Sequence, residues 1–246
     1  MNPLAEFARL RAQHIDTLGA DQSLRETTRA WFQSASKHRY SYHFDWMGIP
    51  IIQFPQDLVA LQEVVWASKP DAIIETGIAH GGSLVFYASL MRAMGIDSPV
   101  IGIDVDIRGH NRELLDQHPL RSRIELIEGS STAPETLVQV RKALGSATNP
   151  VVVLDSNHEF SHVLLELELY SAFVKRGSYL VVLDTIVDDM PEDFSEGRPW
   201  GPGRGPKRAV AEFLKKNQRF SVDQNYNKKL LITVAPDGFL RCTDDL

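Results

Sequence analysis

The order of apolar and polar positions divides this chain into two textures. Up to about residue 70, apolar residues recur at helical spacing, interrupted by an aromatic stretch. From Asp71 onward, short continuous apolar runs alternate with segments of helical spacing. Spacing over residues 4–36, with a break near Gly19 and Ala20, predicts two helices, and Ser23 with Glu26 reads as a capping box for the second. Residues 37–57 carry Gly48, Pro50 and Pro55 among aromatics and predict loop or short strand, and 57–66 returns to helical spacing. The runs at 72–75, 100–104, 124–127, 151–155 and 179–184 are strand-sized, and the continuous β-branched runs among them predict strands buried on both faces in a mainly parallel sheet. Between them, 83–94, 111–117, 134–144 and 161–175 predict helices, with Pro134 suited to a first turn and Gly177 to stopping the last. A helix at 208–217 follows, then a hairpin of 230–234, a turn at Asp237 and Gly238, and 239–242.

Strand–helix alternation of this kind predicts an α/β fold with a doubly wound, Rossmann-like sheet. That sheet is expected to be mainly parallel, to close on an antiparallel C-terminal hairpin, and to follow an N-terminal helical extension. The division falls at an extension of 1–56 and a Rossmann-like domain of 57–246. Ligands of such sheets sit outside the carboxyl ends of the strands, so chemistry is sought there.

Composition narrows the setting. The chain has 246 residues, 43% hydrophobic and 24% charged, which suits a single α/β domain with a core and excludes a disordered chain. Net charge is −6, so nucleic acid is not an expected partner. No apolar run reaches the length of a membrane span, and the first 18 residues mix arginines with apolar residues and hold no signal-peptide core. One cysteine, Cys242, cannot form an internal disulfide, so the expected compartment is the cytoplasm.

The stretch Glu75-Thr76-Gly77-Ile78-Ala79-His80-Gly81-Gly82-Ser83 runs from a strand through glycines into a helix. Small residues let backbone approach a ligand, and the helix start offers free N–H groups. A phosphate-binding P-loop is excluded, because no lysine follows Gly82. The dinucleotide pattern G-x-G-x-x-G lacks its middle glycine, where Ala79 stands. The better match is acid-x-Gly-x-x-x-Gly, a methyltransferase cofactor loop, with a plain strand–helix turn as the bland alternative. On this reading Glu75, Gly77, His80, Gly81 and Ser83 belong to the cofactor site. Asp104 at the next strand tip accepts from the ribose hydroxyls, with Asp106 in reserve, and Ser131 meets the adenine edge.

Asp155 and Asp184 end adjacent apolar strands, and Thr185 follows the second. Two carboxylates at neighbouring tips, with a hydroxyl beside them, suit a divalent cation such as Mg²⁺; Asp155 also borders the cofactor. His158 is the candidate general base and His162 a weaker one. The bland reading makes Asp155 a helix cap and His158 a surface residue. Arg198 to Pro206, rich in glycine and proline around Trp200, reads as a mobile lid, with Trp200 stacking on a sugar and Arg204 or Lys207 pairing with a phosphate. The alternating Tyr40, Tyr42, Phe44 and Trp46 line an acceptor pocket or an oligomer contact, and a homo-oligomer is expected.

The run Pro50-Ile51-Ile52-Gln53, the glycine loop, and Ile103-Asp104-Val105-Asp106-Ile107-Arg108 together resemble the cephalosporin hydroxylase and rhamnosyl O-methyltransferase family, over about residues 40–240. The resemblance implies a class I methyltransferase fold, S-adenosylmethionine as cofactor, and metal-dependent O-methylation of a small-molecule or glycan hydroxyl. It also places Asp155 and Asp184 with Thr185 at metal positions like those of catechol-type enzymes, and His158 where those carry a lysine. A histidine there suits a sugar acceptor. Antibiotic-modifying members carry Glu-Asp where this chain has Leu183-Asp184, which leaves fewer carboxylates for a cation; Asp188 or Asp189 are candidate substitutes. Two rival expectations are a nicotinamide-dependent oxidoreductase and a catalytically silent accessory protein.

Overall fold

A computed structural model of the chain describes residues 2–245. Two helices come first, α1 (Pro3–Ala20) and α2 (Gln22–Ser36). The cap of α2 is Asp21, whose Oδ1 accepts from Leu24 N at 2.9 Å, and not the predicted Ser23. Asp21 lies one residue before the helix, where a carboxylate reaches the free N–H groups; Ser23 is already inside it. The aromatic stretch forms a one-turn 3₁₀ segment and a two-stranded antiparallel ribbon, β1 (Phe44–Trp46) with β2 (Ile49–Ile51). Helix α3 (Pro55–Ser68) starts at the proline, which is preorganised for a first turn.

The main sheet holds β3 (Ala72–Thr76), β4 (Val100–Asp104), β5 (Ile124–Glu128), β6 (Pro150–Leu154) and β7 (Tyr179–Val182), all parallel. Helices α4 (Gly82–Ala93), α5 (Gly109–Asp116), α6 (Pro134–Leu144) and α7 (Phe160–Tyr170) intervene, and α8 (Pro206–Lys216), β8 (Phe220–Val222), α9 (Gln224–Lys229) and β9 (Phe239–Cys242) complete the chain. The strand order is β5-β4-β3-β6-β7-β9-β8. Alternate residues of each strand enter opposite layers. Ile73, Val151, Val153 and Val181 join the layer under α3 and α4, while Ile74, Val152, Leu154 and Leu180 join that under α6, α7 and α8. Two-sided covering is why the central strands are continuous apolar runs, whereas the edge strand β5 exposes Glu125 and Glu128.

Two predicted elements differ. Residues 161–175 do not form one helix: α7 stops at Tyr170, a 3₁₀ turn covers Ser171–Phe173, and Ser171 Oγ bonds the Glu168 carbonyl. The C-terminal antiparallel pair exists, but the strand that joins β9 is β8, not residues 230–234. The backbone groups of Val234 are taken elsewhere: its N–H goes to Asp57 Oδ2 at 2.9 Å, and its carbonyl accepts from Ile186 N at 3.0 Å.

Asp57, in the first turn of α3, is fully buried and also accepts from Thr233 Oγ1. Burial pushes its carboxyl up to about 7, partly offset by those two donors, with the charge of Asp184 adding to the rise. In the unfolded chain the group titrates near ~3.9. A raised folded value means that the folded state holds a proton the unfolded state lacks, so this contribution to stability is complete below about pH 4 and is lost as pH rises through 7. Asp57→Asn keeps an oxygen for Val234 N. Thermal melts at pH 5 and pH 8 should show a smaller fall for this variant than for the wild type; an equal fall assigns the slope to other groups.

Candidate functional site

The strand order reverses between β3 and β6, and at that crevice the two strands' exits lie against each other. Asp155 N donates to the Thr76 carbonyl at 2.8 Å, and Gly77 N to Ile103 O at 2.7 Å. Gly77 has φ +78°, and a Cβ there would stand 2.2 Å from the Asp155 carbonyl oxygen, so only glycine fits. Ala79, at the place of the missing middle glycine, adopts φ +46°. Gly81, the residue before α4, has φ +88°, and a Cβ on Gly82 would meet the Pro50 carbonyl at 2.3 Å, so the ribbon presses against the start of α4.

Beneath the loop lies Glu75, fully buried, with Oε2 accepting from Ser83 Oγ at 2.5 Å and Oε1 without a partner among the described residues. Burial pushes its carboxyl up to about 8; the Ser83 bond opposes this and the charge of Asp104 adds to it. At the tip of β4, Asp104 accepts from Ile78 N (3.0 Å) and Asp106 N (3.1 Å), one bond to each oxygen, leaving a lone pair on each. His80 Nδ1 is 3.0 Å from Asn111 Oδ1, and the same buried amide donates to Ala79 O at 2.9 Å. Asn111 thus props the loop; nothing in the sequence pattern singled it out.

Ser131 is buried, its hydroxyl 3.1 Å from His162 Nε2 and its carbonyl accepting from Tyr170 OH at 2.8 Å. His162 also lies 3.2 Å from Ser156 Oγ and 3.5 Å from Glu166 Oε1; the Glu166 hydrogen bond raises its pKa against the opposing effect of burial. This cluster engages His162, which borders the same cavity as His158.

His158 Nε2 stands 3.3 Å from Asp184 Oδ2. Asp184 adopts φ +53°, uncommon for an aspartate, as β7 turns into a 3₁₀ segment. Burial first, then the charges of Asp184 and Glu75 and the hydrogen bonding of Asp184, push the Asp155 carboxyl well above the usual range. Gln53, which the pattern did not mark for any role of its own, donates from Nε2 to Asp155 Oδ2 at 3.2 Å. Thr185 does not join them: it is fully buried and its hydroxyl donates to the Pro236 carbonyl at 2.6 Å. Asp188 and Asp189 are also engaged elsewhere. Asp188 accepts from Gly205 N and Lys207 N at the start of α8, and Asp189 binds Lys207 Nζ at 2.7 Å. Among the described residues no three His, Cys, Asp or Glu side chains are grouped to hold a metal.

The glycine-rich segment after β7 is tied to its surroundings. Phe160 N donates to the Arg204 carbonyl at 3.0 Å, Arg204 pairs with Glu192 at 3.2 Å, and Lys207 pairs with Asp189 and Asp237. Both cations are thus paired with acids in this structure. Trp200 packs edge-on against His158 with ring centroids 5.4 Å apart.

Three cavities meet at His158. One of about 240 Å³ is bordered by Gly77, His80, Ser83, Asp104 and Asp155. A second of about 610 Å³ runs past Asp104, Gly129, Ser131 and Ser156. A third of about 250 Å³ opens on the other side between Tyr40, Tyr42, Phe194, Arg198 and Trp200.

Residues 38–243 match the family model described as Rhamnosyl O-methyltransferase/CmcI. The rhamnosyl O-methyltransferase of Mycobacterium leprae (strain TN) is 30% identical over 202 residues, covering 79% of this chain and 81% of that protein. The chain belongs to this family. The methyltransferase class and the doubly wound sheet read from the sequence are both borne out. Among solved structures, CmcI (D160 form, with Mg and SAM) superposes with a TM-score of 0.58 at 21% identity, covering 82% of this chain and 77% of that one. The O-methyltransferase from Bacillus cereus in complex with SAH has a TM-score of 0.54 at 15% identity, covering 91% and 92%. At these identities the likeness shows the fold. No helix among the described residues is long and apolar enough to cross a membrane.

Proposed function

We propose that this protein transfers a methyl group from S-adenosylmethionine to a hydroxyl of a sugar, in a glycan or glycosylated small molecule, with a divalent cation beside the acceptor. The observation that carries this is the position of His158 at the junction of three cavities: two along the glycine loop and Asp104, and one walled by aromatics. The named relative modifies a rhamnosyl group, and the CmcI structure holds Mg and SAM, which favours the same classes of acceptor, cation and cofactor here.

The residues fit these groups. Glu75 keeps a buried, unpartnered carboxyl oxygen under the loop, where a cationic amino group would stabilise its ionised form. Asp104 keeps lone pairs for a ribose, and Ser131 borders the larger cavity. Asp155 and Asp184 crowd two carboxyls together, an arrangement that a cation relieves. When bound, the cofactor supplies a methyl activated by sulfonium charge, and the cation supplies positive charge that lowers the pKa of the acceptor hydroxyl.

His158, where the three cavities meet, accepts the hydroxyl proton. Asp184, beside Nε2, orients the ring and stabilises the imidazolium that results. Trp200, Tyr42 and Phe194 line the acceptor side. Because the methyl is already activated, alignment and proton removal are the protein's main tasks.

Calorimetric titration with S-adenosylhomocysteine tests the cofactor assignment. Asp104→Ala removes two charge-assisted hydrogen bonds and should weaken binding by roughly 10–100-fold. No binding by the wild type, with or without Mg²⁺, would sink the reading and revive the nicotinamide and accessory-protein alternatives.

A further inference from the structure

Two arginines, Arg39 and Arg198, border the cavity of about 250 Å³ on the acceptor side of His158. Arg39 lies between α2 and β1, and Arg198 in the segment between β7 and α8, so the two reach one cavity from distant parts of the chain. Each guanidinium stands over an aromatic ring of the same wall, Arg39 over Tyr42 and Arg198 over Trp200, both 5.8 Å from the ring centroid. A guanidinium resting on an aromatic face keeps its N–H donors, which lie in its own plane, for a carboxylate or phosphate.

No acid within the chain takes up these donors. Among the described residues Asp184 is the one carboxylate that lines the cavity, and it already faces His158 Nε2 at 3.3 Å. Arg204 and Lys207, further along the same segment, are paired with acids, whereas Arg39 and Arg198 form no ion pair among the described residues. Both arginines are exposed, while the side chains of His158 and Asp184 are 26% and 29% exposed. Positive charge therefore stands at the mouth, and the reacting groups lie deeper. Two like charges facing one cavity repel each other, and an anion between them relieves both. The cofactor does not fill that role: its carboxylate belongs to the amino acid part assigned to the glycine loop, and neither arginine borders that cavity. Arg198 also borders the larger cavity, the place of the uncharged nucleoside.

We propose that the acceptor is an acidic sugar, bearing a carboxylate or a phosphate that Arg39 and Arg198 bind while His158 meets the hydroxyl. This rests on the sugar methyltransferase reading above and adds a charge to its substrate class.

The test is methyl transfer from S-adenosylmethionine by the full chain, with Mg²⁺ present. The probes are the methyl glycosides of glucose, galactose and mannose, the methyl glycosides of the matching uronic acids, and the 6-phosphates of the same glycosides. For at least one sugar, kcat/KM should be about tenfold or more higher for an anionic probe than for its neutral parent at low salt, and the advantage should shrink as NaCl is raised. The preferred anion tells carboxylate from phosphate. Arg39→Gln and Arg198→Gln should each cut the advantage about three- to tenfold, mainly through KM, with S-adenosylhomocysteine affinity at the wild-type value. Arg198→Lys should keep part of it, since lysine supplies the charge without the fork. Equal use of neutral and anionic probes overturns the proposal and leaves the sugar methyltransferase reading standing. An advantage that survives in the double Gln variant also overturns it. So does a parallel loss of S-adenosylhomocysteine affinity, which would assign the arginines to the cofactor. Transfer to none of the probes overturns the proposal as well, and the S-adenosylhomocysteine titration shows separately whether the cofactor reading survives.

Discussion

His158→Ala is expected to lower kcat by about 10²–10⁴-fold, the usual contribution of a positioned acid or base, with S-adenosylhomocysteine affinity unchanged. The separation follows from geometry. His158 borders the cofactor cavities, but its ring pairs with Asp184 and packs against Trp200 on the acceptor side. The groups expected to hold the cofactor are Glu75, Asp104 and the loop backbone, none of which needs the imidazole to keep its place. The measurement is single-turnover methyl transfer to a sugar acceptor beside a binding titration on the same preparation. Equal turnover in the variant removes His158 from the chemistry. Turnover and binding lost together mean that the ring holds the site in shape.

Gly77→Ala should be severely damaging. Two costs add: a residue with a Cβ held at φ +78°, and a methyl 2.2 Å from a backbone oxygen and 2.5 Å from Ser156 Cα. Backbone atoms at a strand exit cannot swing aside as a side chain tip can. Together about 3–5 kcal/mol of stability should go, a fall in melting temperature on the order of 10 °C. Cofactor binding should go with it. Gly95→Ala is the control: φ is +71° there, yet nothing lies within 4 Å of the added carbon. It carries the backbone strain alone, about 1–3 kcal/mol. Equal losses in the two variants would show that the close approach of Gly77 to Asp155 is not what selects glycine.

Most of the sheet was legible because its strands are covered on both faces. Burial of that kind needs continuous apolar residues, and a continuous run is a local signal. The short edge strand β8 was not legible, since three residues hold too little alternation to separate from a loop. Residues 230–234 read as a strand for the converse reason: their apolar pattern is real, but Asp57 and Ile186, far away in the chain, take the backbone groups a strand would need.

The same division runs through the site. The sequence determined the glycine loop, the acids at the strand tips and His158, because the fold places strand tips together and the residue types there are chemically marked. Tertiary structure alone decided which neighbours stay available. It turned Thr185 toward Pro236 and tied Arg204 and Lys207 to acids; it also gave Asp188 to the start of α8. It brought in Asn111 and Gln53, polar side chains without distinctive spacing. Hydrogen-bond partners 31 to 102 residues apart are fixed by how elements pack, and no local pattern records that.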